Sequence, residues 1–170
     1  MLSKEVAKLI NEQVNQEFYS SYLYLNYSNY YKEEGLEGFG QWFYVQAKEE
    51  WDHAIQFMEY LHNNGESVTL ETIQAPDNKP ENFLAPLKGT VNHEHLVTSL
   101  VHKIYEAAQL TRDFRTMQFL DWFVKEQGEE EKTAEDLVKK FELFGSDPKS
   151  LYLLDNELGS RVYTPHSNNL

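Results

Sequence analysis

Several glutamates and one histidine stand at spacings that could gather a cation. Glu50-x-x-His53 and Gln127-x-x-Glu130 each place two polar donors three residues apart. On a helix, residues three apart share a face, so each pair can aim at one point. Glu17 precedes Glu50 by 33 residues, and Glu94 precedes Gln127 by 33. The first set maps onto the second at an offset of 77 residues: Glu17 on Glu94, Glu50 on Gln127, His53 on Glu130. Identities follow that offset, with Val14-Asn15-x-Glu17 matching Val91-Asn92-x-Glu94 and Lys48-Glu49 matching Lys125-Glu126. Two related hairpins would then supply a carboxylate each from their first helix and a pair each from their second. Many carboxylates with one imidazole suit Fe(II), Mn(II) or Zn(II). A closed structural zinc site would use more His or Cys. Ca²⁺ would favour an EF-hand loop, and the sequence has none. Glu50, as a bridging carboxylate, fits two metals about 3.5–4 Å apart.

The elements that must position these groups are long helices. On the 3.6-residue stripes each run is apolar except near its middle, where a Glu or Gln intrudes. The stripes read Val6, Ile10, Val14, Glu17, Ser21, Tyr24; then Phe39, Phe43, Ala47, Glu50, Ala54, Phe57; then Leu87, Val91, Glu94, Val97, Val101; then Leu120, Phe123, Gln127, Glu130, Ala134, Leu137. An unpaired carboxylate in a core is costly and takes up a proton instead. Intrusions at one depth on four helices point to a positive charge among them.

Gly and Pro punctuate these helices. The pattern predicts helix A over about 4–34 with Ser3 as N-cap, B over about 36–64 stopped by Gly65, C over about 86–111, and D over about 114–144 ended by Gly145. Pro148 opens a short helix E over about 148–158. The stretch 66–85 has no helical period and is too long for a tight turn, so it crosses the molecule. The tail 164–170 reads as polar and loose. The expected fold is all-α: an up-down-down-up four-helix bundle with one long crossover and a short fifth C-terminal helix.

Composition sets the outer bounds. The 170 residues suit one domain, 1–170, with a real core. Acids outnumber bases 28 to 15, which disfavours nucleic acid and anionic membranes as partners. There is no Cys, hence no disulfide framework and no Cys zinc site. No apolar run reaches the length of about 18 residues that a membrane span needs, and the opening segment is not a secretory signal.

The full length resembles the bacterial non-haem ferritins. The resemblance rests on Asn11-Glu-Gln-x-Asn15-x-Glu17-x-Tyr19-Ser20-Ser21-x-Leu23-Tyr24, Glu49-Glu50-x-x-His53, His93-Glu94 and Glu126-Gln127-x-Glu129-Glu130-Glu131-Lys132. It implies a ferroxidase that takes Fe(II) and O₂ to a hydrated ferric oxide. It also implies a cytoplasmic homo-oligomeric shell of 24 subunits that stores the mineral. By the same resemblance the first iron would lie on Glu17, Glu50 and His53, and the second on Glu50, Glu94 and Glu130 with Gln127 hydrogen-bonding beside it. A third iron would use Glu49, Glu126, Glu129 and Glu130. Tyr24, seven residues after Glu17, would hydrogen-bond to the site and donate an electron, and Trp122 is a second such candidate.

Departures sharpen this reading. Gln-x-x-Glu in place of a second Glu-x-x-His argues against a permanently loaded di-iron oxygenase. Trp51 follows Glu50 where a bacterioferritin carries its haem-ligating Met, so no haem is expected. Met117 and Leu120 are expected where animal ferritins line a three-fold pore with acids. His93 and His95 flank Glu94 and read as surface or interface residues. Tyr19, Tyr22 and Tyr30 read as a second aromatic face buried against another subunit. Gly128, the repeat partner of Trp51, is read as making room for that ring. Two other readings stay open: a ferritin-like di-metal peroxidase that reduces H₂O₂, and a metal-free helical scaffold.

Overall fold

The computed structural model describes residues 2–76 and 79–165. Five helices follow in order: α1 Lys4–Glu33, α2 Glu37–Asn63, α3 Leu84–Leu110, α4 Phe114–Phe144 and α5 Pro148–Leu158. No strand occurs among the described residues. Ser3 accepts from the Val6 N–H at 3.1 Å and caps α1 as its sequence position predicts. Gly65, at φ +77°, lets the chain turn out of α2, while the Glu66 N–H reaches back to the Leu61 carbonyl at 3.0 Å. Helix α3 starts two residues before the expected position, because Asn82 Oδ1 accepts the N–H groups of Leu84 and Ala85. Pro86 is then tolerated in the first turn, where its missing N–H has no intrahelical partner to lose.

Two apolar clusters fix the topology. One gathers Val6, Ile10 and Val14 from the start of α1, Phe57 and Leu61 from the end of α2, Val101 and Ile104 from the end of α3, and Leu120 and Phe123 from the start of α4. The other gathers Tyr24 and Tyr31 from the end of α1, Phe39 and Phe43 from the start of α2, Leu87 from the start of α3, and Leu137, Leu154 and Leu158 from late α4 and α5. Helices α1 and α4 therefore run one way and α2 and α3 the other. This is the predicted up-down-down-up bundle.

The crossover is tied along α1. Asn11 exchanges bonds with Thr69, accepting its N–H at 2.8 Å and donating to its carbonyl at 3.1 Å, and Asn15 accepts from the Glu71 N–H at 2.7 Å. Near the far end of α1, Tyr31 OH donates to the Phe83 carbonyl at 2.5 Å. These side chains bond a backbone that has no sheet or helix of its own to satisfy it. Beyond residue 165 the expected loose tail lies outside the described residues.

Candidate metal centre

The polar groups sit between the two apolar clusters, halfway along the bundle. Glu17, Glu50, His53, Glu94, Gln127 and Glu130 are all buried. Glu17, Glu50 and His53 each offer one donor atom, and those atoms lie within 4.8 Å of one another. His53 Nδ1 lies 3.3 Å from Glu50 Oε2. Gln13 donates to Glu17 Oε1 at 2.7 Å, which leaves buried Glu17 Oε2 with no donor. Tyr24 OH donates to Glu94 Oε1, and Gln127 Nε2 donates to Glu94 Oε2 at 3.2 Å. Gln46 Nε2 bridges two carboxylates, Glu50 Oε1 at 3.0 Å and Glu130 Oε2 at 2.9 Å.

Electrostatics make this cluster cation-seeking. Burial, then the charge of Glu50, raises the pKa of Glu17 and Glu130 well above the carboxylate range. The same two causes carry Glu94 up to about 8, against the Tyr24 and Gln127 bonds that pull it down. Glu50 goes the other way: burial pushes it up, but the bond to His53 and its charge outweigh that and the net shift is downward. Burial alone would lower His53, yet the bond and charge of Glu50, helped by Glu17 and Glu130, carry it up to about 10. Without a metal, burial and the Glu50 charge favour the protonated form of Glu17, Glu94 and Glu130, while Glu50 and His53 favour each other's charged form. Glu50 raises all three neighbouring carboxyls, which places it at the electrostatic middle, where a bridging ligand belongs. The hard oxygen-rich donor set, one imidazole and an unsatisfied buried carboxylate oxygen fit a divalent first-row cation.

The outer acids are less converged. Glu49 is partly buried; burial raises its pKa, Arg161 opposes this, and the charge of Glu126 adds to it. Arg161 donates to Glu49 directly. Glu129 is exposed and pairs with Lys125 at 3.4 Å. Trp122 lies edge-on to His53 with ring centroids 5.5 Å apart.

Four sequence expectations are corrected. His93 is buried, because it faces α1 across small Ser20, to whose hydroxyl its Nε2 is hydrogen-bonded at 2.7 Å; burial lowers its pKa. His95 is exposed as expected. Tyr30 is buried within its own chain, packed on Tyr31 and Phe83, and so is not held for another subunit, whereas Tyr22 is exposed on the single chain as the expected second face requires. Leu120 is fully buried in the bundle core and so lines no pore, while partly buried Met117 packs against that core. Gly128 makes no room for Trp51: a Cβ there would meet nothing within 4 Å, and exposed Trp51 packs its edge on Phe18 of α1. Gly128→Ala should therefore stabilise the chain by about 1 kcal/mol, the helix-propensity difference, read as a higher Tm with an unchanged Fe(II) oxidation rate.

Gln13 enters the sequence reading only inside the Asn11–Tyr24 motif, and Gln46 and Arg161 not at all, so none is assigned a role there. A signal existed for the first two. Each stands four residues before a buried Glu, and the 33-residue spacing that links Glu17 to Glu50 also links Gln13 to Gln46. Arg161 lies 112 residues from Glu49 and only the fold brings them together.

Comparison with known proteins agrees with this geometry. Residues 7–144 match the family model of a ferritin-like domain. A Campylobacter jejuni protein named bacterial non-heme ferritin is 37% identical over 155 residues, 91% of this chain and 93% of that one. A Haemophilus influenzae protein named probable bacterial non-heme ferritin-like protein is 36% identical over 160 residues, 94% of this chain and 97% of that one. The solved open-pore ferritin of Archaeoglobus fulgidus superposes with a TM-score of 0.93 at 38% identity, covering 95% of this chain and 100% of that one. With a bundle of this topology and a buried Glu-Glu-His group at its middle, the chain belongs to the ferritin family.

Proposed function

We propose that this chain is an iron-storage ferroxidase: it oxidises Fe(II) within its own bundle and passes Fe(III) to a mineral inside a closed shell of its copies. The observation that carries the reading is the convergence of buried Glu17, Glu50 and His53, with Glu94 and Glu130 held beside them. A shell of 24 subunits, a cytoplasmic location and a single di-iron domain over 1–170 are part of the same proposal, supported by the ferritin-like family match over residues 7–144. No helix among the described residues is long and apolar enough to cross a membrane.

Iron is the substrate here. Glu17, Glu50 and His53 would hold one Fe(II), and Glu50, Glu94 and Glu130 a second, with Gln127 orienting Glu94. Hard anionic carboxylates favour Fe(III) over Fe(II), which assists oxidation once O₂ or H₂O₂ accepts the electrons. Binding draws Glu17, Glu94 and Glu130, whose pKa values burial and Glu50 raise, into their ionised form and breaks the Glu50–His53 pair, freeing imidazole nitrogen for the metal. Tyr24, buried and bonded to Glu94, is placed to give up an electron and to pass its proton to that carboxylate. Trp122, partly exposed beside His53, is placed for a similar role. Glu49, Glu126, Glu129 and Glu130 would receive a third or outgoing iron. Trp51 has no ligand atom for haem.

Aerobic Fe(II) titration of the metal-free protein, following near-UV absorbance and particle size together, tests this. Ferric growth well past three irons per chain in a particle the size of a 24-mer is expected. Oxidation that stops at two or three irons removes the storage function. A dimer or dodecamer that consumes H₂O₂ without mineral replaces it with peroxide reduction.

A further inference from the structure

The segment after α5 turns back along α2 and lays a cation against the outer edge of the cluster. The Arg161 guanidinium lies 4.5 Å over the Trp42 ring. Its Nη1 donates to Gln46 Oε1 at 2.9 Å and its Nη2 donates to Glu49 Oε2. Two residues on, Tyr163 OH donates to Asp52 Oδ2 at 2.6 Å, which pins the same segment to α2. Neither side of the Arg161–Glu49 pair is freely solvated, at 22% and 17% exposure, in contrast to Lys125–Glu129 at 79% and 62%. Exposed pairs contribute little, whereas a sheltered planar fork on a carboxylate holds it.

The guanidinium also fixes an amide. A carboxamide has its acceptor on one atom and both donors on the other. With Oε1 held by Arg161, Gln46 must turn Nε2 inward, where it reaches Glu50 and Glu130. One cation thus neutralises Glu49 on the outside and orients the donor that ties the two inner carboxylates together.

We propose that Arg161 is the resident counter-cation of the outer carboxylates: it holds Glu49 when iron is absent, and an iron arriving at Glu49, Glu126 and Glu130 displaces it. The proposal rests on the metal-centre reading above. Guanidinium and metal compete for the same Glu49 oxygen, so the outer position fills after the inner pair. Displacement also removes one of the anchors of the 159–165 segment on α2 and leaves the Tyr163–Asp52 bond as another, so occupancy of the outer position loosens the segment at the surface of the bundle.

Anaerobic Zn(II) titration of the assembled protein by calorimetry, with hydrogen exchange of the 158–165 segment, tests this. In the wild type a third Zn(II) per chain should bind more weakly than the first two, and exchange in that segment should rise at that step. Arg161→Ala should tighten the third ion roughly tenfold, the order expected when a competing unit charge leaves a partly screened site. The segment should then exchange fast from the start, and the first two ions should still bind, with any change in their affinity reporting the released Gln46 amide. Tyr163→Phe loosens the segment and keeps the cation, so its third-ion affinity should stay within about twofold of wild type. Equal third-ion affinity in wild type and Arg161→Ala, or exchange indifferent to the third ion, overturns the proposal. Failure of the first two ions to bind in the wild type removes the metal centre itself, and this proposal with it.

Discussion

Glu50→Ala should slow the initial rate of Fe(II) oxidation roughly a hundredfold or more while leaving the helix content intact. Glu50 is the group every other member of the centre responds to. It pairs with His53 at 3.3 Å, accepts from Gln46 at 3.0 Å, and its charge raises Glu17, Glu94 and Glu130. Removing it takes one ligand from each of the two proposed irons and the only bridge between them. The fold should survive, because the loss relieves as much as it breaks. Glu17, Glu94 and Glu130, whose pKa values the Glu50 charge raises, no longer face a carboxylate that opposes their ionisation. His53 loses the anion that holds its proton and becomes an ordinary buried neutral imidazole. Glu50→Gln separates shape from charge: it keeps the volume and the Gln46 contact but cannot bridge two cations, so it should match the Ala variant. His53→Ala, which removes a ligand from one iron only, should fall between them and wild type. Stopped-flow oxidation at fixed iron-to-protein ratio measures all three, with far-UV circular dichroism as the check on folding. Initial rates within about threefold of wild type in the Glu50 variants would remove the centre from the mechanism.

The bundle was legible because its signals are local and repeated. The four stripes, the Ser3 cap and the Gly65 stop are each set within a few residues, and the structure reproduces them within two positions. The inner ligands were legible for a different reason. A carboxylate on an apolar face contradicts its surroundings, and the contradiction recurs at spacings of 33 and 77 residues. What escaped was polar partnership. Gln46 stands off the apolar stripe of α2, yet it sits at the junction of Glu50, Glu130 and Arg161. His93 reads in the sequence as a surface or interface residue because it is one residue from Glu94 and does not share its inward direction. Its face of α3 is instead closed by Ser20 of α1, a choice of small residue on another helix. Arg161 on Glu49 is set by how α5 docks on α2, where Asp155 Oδ1 accepts the Phe39 N–H at 2.9 Å and Gly38 leaves no space for a Cβ. Such long-range registry has no periodicity to betray it.

Raising the pH from about 6 to about 8.5 should lower the Tm of the metal-free protein and raise the further gain in Tm that Zn(II) gives it. The sign follows from proton counts. Glu94 keeps its proton up to about 8 in the folded chain but sheds it near its ordinary 4.5 when unfolded. Between those values the folded state binds more protons, so stability falls as pH rises. Glu17 and Glu130, also raised, act in the same direction. His53 adds to it: its proton is held to about 10 when folded and lost near 6.5 when unfolded, so its contribution is complete below 6.5 and disappears toward 10. Glu50, lowered, works oppositely, but only below its ordinary 4.5. Zn(II) reverses the balance because it needs the deprotonated carboxylates and neutral imidazole that high pH supplies. Each ion at a hundred times its Kd adds about 2.7 kcal/mol by mass action, so two add about 5 kcal/mol. For a chain of this length that is a shift on the order of 10–20 °C. Melting curves at one scan rate, with and without Zn(II), provide the measurement. A Tm of the metal-free protein that is flat or rising over this range would mean the carboxyls are not held protonated. A Zn(II) shift that shrinks with pH would mean the ion binds elsewhere, at acids that are already ionised. The two readings together distinguish a buried, proton-filled centre from an acidic surface, since only the first exchanges protons for metal as it loads.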